Sequence, residues 1–235
     1  MPAIHGLNKT TLLDYPGRVA ATIFLGSCNF RCPFCQNSSL VLHPADEPVI
    51  PEEEVLSFLK KRRGILDGVC ISGGEPTLAS DLEDFICKIH ALGYPVKLDT
   101  NGTRPDVLKH LAERGLIQKA AVDIKACPDN YPSLTGMMHP DLTAIQETVS
   151  FLLHGNLDYE FRTTVVKELH NENATGALHG KYVWLSIFQR KQTYSDPGRH
   201  RWILVSFNRY PGFQQAGWSS VKFCGSVQVL QENNC

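Results

Sequence analysis

Short apolar runs alternate with amphipathic stretches over most of the chain. Residues 21–25 are an unbroken run of apolar and β-branched side chains, which predicts a buried strand leading straight into a cysteine-bearing loop. Over residues 52–63 the pattern turns helical. Pro51 stands at its start, Glu52, Glu53 and Glu54 fill the first turn, and Lys60, Lys61, Arg62 and Arg63 fill the last, an order that complements the helix dipole. Residues 68–72 predict a second strand, ending in Gly73 and Gly74. Residues 81–92 predict a helix with Leu82, Phe85, Ile86 and Ile89 on one face and Gly93 as its stop.

The unit then recurs. Residues 96–99 predict a strand and 105–114 a helix ended by Gly115; residues 120–124 predict a strand and 142–153 a helix ended near Gly155; residues 159–166 predict a further strand. Strand–helix alternation of this kind implies a parallel sheet with right-handed crossovers. The polar motifs all fall at the C-terminal ends of the predicted strands, the edge where such sheets and barrels build their sites. A full eight-unit barrel needs about 250 residues. The expected fold is therefore α/β, a partial TIM-like (β/α)6 barrel of parallel strands, incomplete toward the C-terminus.

The pattern breaks off near residue 177, which divides the chain into an expected core domain, 1–176, and an atypical tail, 177–235. The first part holds 22 acidic and 16 basic residues; the tail holds 2 acidic residues (Asp196 and Glu232), 7 basic ones, and Trp184, Trp202 and Trp218. Only residues 182–188 and 202–207 look strand-like there, and no amphipathic helix is evident. Divergence or a reading-frame change would each produce this, and the abrupt loss of acidic residues and periodicity favours the frame change.

Composition narrows the function classes. A net charge of −1 gives no reason to expect nucleic acid or an anionic membrane as partner. No apolar run approaches the roughly 18–20 residues of a membrane span, and the residues from Met1 to Gly6 lack the basic and apolar segments of a signal peptide. The expected location is the cytoplasm. Disulfides are disfavoured there, so clustered cysteines point to metal or redox chemistry. Of eight cysteines, Cys28, Cys32 and Cys35 cluster; those at 70, 87, 127, 224 and 235 read as packing residues.

The spacing C-x3-C-x2-C places three thiols on one loop. Thiolates are the ligands of iron–sulfur clusters, and three of them leave one iron of a cubane open to a chelating substrate. A closed zinc site wants four ligands, usually as two pairs; no second C-x2-C exists, though His43 is a candidate fourth donor for a zinc-holding, non-enzymatic module. About 40 residues later, Gly73-Gly74-Glu75-Pro76-Thr77 follows the second strand. Its glycines would let backbone approach a ligand closely, and Glu75 with exposed backbone groups would grip an ammonium.

The cysteine triplet with Phe34 before its last member, followed by Gly-Gly-Glu-Pro, resembles the radical S-adenosylmethionine (SAM) superfamily. In that family SAM's amino and carboxylate groups bind the open iron of a [4Fe–4S] cluster. Reductive cleavage then yields a 5′-deoxyadenosyl radical that abstracts hydrogen. The resemblance implies that the backbone at Phe34 touches the adenine and that the Gly73–Thr77 loop holds the amino group. A closer likeness lies in Lys9-Thr10-Thr11-Leu12-Leu13-Asp14-Tyr15-Pro16-Gly17, Cys32-Pro33-Phe34-Cys35-Gln36-Asn37, Asp99-Thr100-Asn101-Gly102, Asp123-Ile124-Lys125 and Phe161-Arg162-Thr163-Thr164-Val165. Together these resemble the glycyl-radical-enzyme activases over about residues 4–172. The nearest group is the anaerobic ribonucleoside-triphosphate reductase activating proteins, with pyruvate formate-lyase activating enzyme a close relative. Gln36 departs from the His common in that position.

The implied partners are a glycyl radical enzyme as protein substrate and a low-potential electron donor such as flavodoxin or ferredoxin. Asp99 and Asp123 end successive predicted strands and should face one cavity, with Lys125 on the same side. The resemblance places these residues around SAM, and Arg162 near SAM's carboxylate, where a guanidinium gives a charge-assisted pair. Asn101 is expected in the same site, although Asn-Gly is also an ordinary turn. His5, His43, His90, His110 and His154 read as surface or helix-face residues, and His170 as bordering the site. Asp14 and Tyr15 are expected to orient the first strand. The basic run 60–63 reads as a solvated helix end that an acidic electron donor would also suit.

Overall fold

The strands and helices predicted between residues 21 and 166 form, and the strands join in one sheet. A computed structural model of the chain describes residues 3–126 and 128–166, and the strands at 202–208 and 227–230. The strands are β1 (Ile4–Thr11), β2 (Ala20–Leu25), β3 (Gly68–Gly73), β4 (Val96–Thr100), β5 (Lys119–Asp123), β6 (Asp158–Val166), β7 (Trp202–Asn208) and β8 (Val227–Leu230), hydrogen-bonded in that order. β2 to β6 run parallel, each beside the next; β1 adds antiparallel at one edge, and β7 and β8 antiparallel at the other. The architecture is an open, partial barrel of the expected α/β kind. Its first six strands comprise five parallel ones and the antiparallel β1.

Four helices cover the outer face: α2 (Glu52–Lys61), α3 (Leu82–Ala91), α4 (Pro105–Glu113) and α6 (Leu142–His154). Between them and the sheet lies the core, where Ile23, Val69, Ile71, Val96, Leu98 and Val122 meet Val55, Leu59, Phe85, Ile86, Ile89, Leu108 and Leu152. Burial of these side chains, each stabilising by about 1.5–3 kcal/mol, explains why the apolar faces predict the elements to within one or two residues. The opposite face of the strands is polar. Thr22, Cys70 and Lys97 are register partners across β2, β3 and β4, and Asp123 partners Arg162 across β5 and β6.

Several expectations need correction. The first strand is β1, not residues 21–25. Its run Ile4-His5-Gly6-Leu7-Asn8-Lys9-Thr10-Thr11 is too polar to register as a strand, because it is an edge strand exposed over much of its length. Asp14 therefore lies between two strands, and it does orient the second: Thr22 Oγ1 donates to Asp14 Oδ2 at 2.5 Å. His5 sits half-buried in β1 rather than on a helix, with a buried Nε2 and with Nδ1 3.2 Å from Pro48 O. Two short helices, α1 (Ser38–Leu42) and α5 (Tyr131–Thr135), carry no periodicity that a five-residue element could show. In the tail, the expected strand at 202–207 is present as β7. The expected strand at 182–188, His170, Cys127, Cys224 and Cys235 lie outside the described residues, as does nearly all of the segment for which a frame change was inferred.

Candidate functional site

The site is assembled at the C-terminal ends of β2 to β6. β2 stops at Leu25, and the chain leaves it through Ser27, the one described non-glycine residue with positive φ (65°). The loop that follows carries Cys28, Cys32 and Cys35, all partly exposed free thiols. Burial pushes the Cys28 thiol up to about 11 and also raises Cys32, against the opposing charge of Lys125. A thiolate at Cys32 would add to the rise at Cys28, and one at Cys35 to the rise at Cys32. Three soft donors on one loop are the donor set of an iron–sulfur cluster. Among the described residues no three His, Cys, Asp or Glu side chains converge on a single ion. A cubane, whose cysteines each bind a different iron, does not ask for such convergence, whereas a closed zinc site does. His43, the candidate fourth zinc donor, has a 71% exposed side chain and faces Asp46.

Phe30 and Phe34 turn their rings into a small apolar cluster with Ala126, Tyr131, Leu134 and Ile145. This cluster is the second wall of the loop. Arg31 N–H donates to Thr135 O at 2.7 Å, and a Cβ on Gly136 would stand 2.4 Å from Arg31 O, so the two segments lie backbone to backbone. The Lys125 N–H donates to the Tyr131 hydroxyl at 3.2 Å, and burial lifts that hydroxyl to about 12.

The Gly73–Thr77 loop is built differently from the expectation. Gly74 N–H donates to Leu25 O and Glu75 N–H to Ser27 O, each at 2.8 Å, extending the β2–β3 pairing into the loops. A Cβ on Gly73 would stand 2.2 Å from Leu25 O, and one on Gly74 1.8 Å from Ser27 O. The glycines thus admit the chain's own backbone. The carboxylate of Glu75, 1% exposed, is likewise occupied. Its Oε1 accepts from Thr77 N–H (3.1 Å), Thr77 Oγ1 (2.5 Å) and Thr100 Oγ1 (2.7 Å), and its Oε2 from Asn101 N–H (2.6 Å). Glu75 thereby ties its loop to the turn after β4. Asn37 Nδ2 donates to Gly73 O at 2.9 Å and fixes that carbonyl. Pro76 and Thr77 are buried in a single 3-10 turn.

Asp99, Asp123, Lys125 and Arg162 do come together. Arg162 donates from Nη1 to Asp99 Oδ2 at 3.0 Å and from Nε to Asp123 Oδ1 at 2.8 Å, and Lys125 Nζ donates to Asp123 Oδ2 at 3.0 Å. Below them Lys97, fully buried, meets Asp99 Oδ1 at 2.5 Å and Glu160 Oε1 at 3.2 Å. The result is an alternating row, Glu160–Lys97–Asp99–Arg162–Asp123–Lys125. Desolvation works to raise the acids, but the charge of Arg162, aided by Lys97 at Asp99 and by Lys125 at Asp123, overrides it and holds both below the usual carboxylate range. Arg162 is thus bound to two carboxylates of the chain. Lys97, Glu160, Asn29, Thr103 and Tyr131 were not anticipated. Lys97 and Glu160 had a signal: each is a charge within a strand-like run, two positions before an opposite charge and so on its face of the strand.

The basic run 60–63 lies elsewhere. α2 ends where β3 begins, at the edge opposite the cysteine loop, and Arg63 is spent on the carbonyls of Ala91 and Leu92.

The profile of the Radical SAM superfamily matches residues 22–173. A Methanocaldococcus jannaschii protein named as a putative glycyl-radical enzyme activating enzyme is 33% identical over 174 residues, 72% of this chain and 70% of that protein. A GTP 3′,8-cyclase of Helicobacter pylori is 31% identical over 170 residues, 68% of this chain; the chain spans only 50% of its length. Among solved structures, archaeal TYW1 aligns with a TM-score of 0.44 and 21% identity over 64% of this chain and 56% of that one.

Proposed function

The chain belongs to the radical SAM superfamily, whose members use a [4Fe–4S] cluster and S-adenosylmethionine, and we propose that it activates a glycyl radical enzyme, with anaerobic ribonucleoside-triphosphate reductase as the protein substrate. The observation that carries the activase reading is the likeness, over 72% of the chain, to a protein named as a putative glycyl-radical enzyme activating enzyme. In this reading residues 1–176 are the catalytic core and 177–235 an appended tail.

Cys28, Cys32 and Cys35 would hold the cluster. Bound there, cluster and SAM supply a low-potential electron and the power to take a hydrogen atom from a glycine Cα. The chain's own residues position and shield. Backbone carbonyls of the Gly73–Thr77 loop, braced by Glu75 and Thr77, accept from SAM's amino group, and the backbone at Phe34 borders the adenine. Asp99, Asn101, Asp123, Lys125 and Arg162 form a wall already paired internally, so it needs little reorganisation as charge changes beside it. Phe30, Phe34, Tyr131 and Leu134 exclude water from one side.

The partners are the glycyl radical enzyme and a flavodoxin- or ferredoxin-like donor, in the cytoplasm. The cysteine-loop edge is where such a donor would approach, given the position of the 60–63 run. No helix among the described residues is long and apolar enough to cross a membrane. A second reading, a radical SAM enzyme acting on a small molecule, takes its support from the GTP 3′,8-cyclase relative.

The test is anaerobic reconstitution with iron and sulfide, then dithionite and SAM. Methionine and 5′-deoxyadenosine are expected. Incubation with the reductase should then yield the doublet of a glycyl radical in electron paramagnetic resonance. SAM cleavage without that doublet, with product formed from GTP instead, would favour the second reading.

A further inference from the structure

Between the cysteine loop and the turn after β4, three side chains close a hydrogen-bonded ring. Asn29 Nδ2 donates to Thr103 Oγ1 at 2.9 Å, Thr103 Oγ1 donates to Asn101 Oδ1 at 2.7 Å, and Asn101 Nδ2 donates back to Asn29 Oδ1 at 2.7 Å. Each member gives one proton and accepts one in the same rotational sense, so the ring fixes both amide orientations. Thr103 N–H adds a second donor onto Asn101 Oδ1 at 3.0 Å, which rules out the flipped amide. The ring is anchored, since the Asn101 backbone N–H is held by Glu75 and the side chain is buried.

An amide nitrogen carries two protons, and the ring uses one. The other lies toward Cys28, whose Sγ is 3.9 Å from Asn101 Nδ2. The same sulfur accepts from Phe30 N–H at 3.3 Å. Asn29, the residue after Cys28, is thereby pinned to a turn more than 70 residues downstream, and the sulfur has a polar donor on its inner side.

We propose that Asn101 is a positioning residue for Cys28: the ring holds this cysteine in register, and the spare amide proton serves its sulfur as a donor that raises the reduction potential of the bound cluster. The inference rests on the cysteine loop being the cluster site. A donor to a cluster sulfur stabilises the extra negative charge of the reduced state, so its presence makes reduction easier. It also ties the redox centre to the turn that follows Asp99.

The test is a potentiometric titration of the full-length reconstituted chain without SAM, followed by electron paramagnetic resonance. Asn101→Ala should shift the midpoint negative, by roughly threefold or more in the reduction equilibrium. Asn101→Asp should shift it further, because it puts an acceptor and a charge beside the sulfur, while Thr103→Ser keeps the ring and should match the wild type. Should Asn101→Ala take up no cluster, Thr103→Ala serves the same comparison, with a smaller negative shift expected. Loaded Asn101 or Thr103→Ala variants with the wild-type midpoint overturn the inference alone. A wild-type chain that binds no iron and sulfide overturns the reading beneath it.

Discussion

Lys97 and Asp99 stand two residues apart on β4, face the same side of the sheet, and meet as a buried ion pair, Nζ to Oδ1, at 2.5 Å. Neither is left to the other alone, because Lys97 also reaches Glu160 and Asp99 also accepts from Arg162. Such a row is stable only when complete: removing one charge strands its neighbours in a poorly solvated place.

Lys97→Met should therefore destabilise the chain by about 3–5 kcal/mol. Urea unfolding at neutral pH measures it. Lys97→Met combined with Glu160→Gln should recover part of the loss, since the second change removes a stranded charge. A single variant with the wild-type midpoint would contradict the buried pairing.

Acid should act through the same row. Asp99 and Asp123 both titrate below their ordinary range in the fold, so the stability they contribute is present above the unfolded carboxylate pKa, about 3.9, and is lost as pH falls through the lower folded values. Unfolding free energy should hold between pH 7 and about 5 and fall steeply below about 4. Asp123→Asn, which removes one of the two titrations, should make that limb shallower.

Glu75→Gln keeps the shape and loses an acceptor. Both carboxylate oxygens now receive donors, and whichever way the amide lies its NH2 group must face one of them. A cost of about 1–3 kcal/mol is expected, read by chemical denaturation, together with poorer retention of SAM in equilibrium dialysis. If Glu75 gripped the ammonium instead, stability would be unchanged and only SAM retention would fall.

Gly74→Ala and Gly93→Ala separate two reasons for a glycine. A Cβ at Gly74 collides with the Ser27 carbonyl, whereas one at Gly93 meets nothing within 4 Å and suffers only from a φ of +89°. The first should cost more than about 2 kcal/mol and loosen the cysteine loop, and the second about 1–2 kcal/mol with iron loading unchanged. Thermal unfolding and iron content of the reconstituted variants give both answers.

The sequence made the outer face of the fold legible, because helix-facing strand positions are apolar and three of the four covering helices end at a glycine. β1 and α5 escaped for physical reasons. An edge strand need not be apolar, and one helical turn shows no period. The site was legible as a set of residues, with Cys28, Cys32, Cys35, Asp99, Asp123, Lys125 and Arg162 gathered at one edge. The partners of Glu75, Arg162 and the two glycines were not, since their contacts are made across loops up to 63 positions apart in sequence. Neighbouring residue types say only that such a side chain is polar or small, never which donor it meets.

The backbone bond from Arg31 to Thr135 bears on how the protein matures. On a growing chain the three cysteines emerge about a hundred residues before Tyr131 and Thr135. Until those residues arrive, the loop lacks one of its walls. A cluster held by those cysteines would therefore find both walls of its loop only once the chain has been made as far as α5.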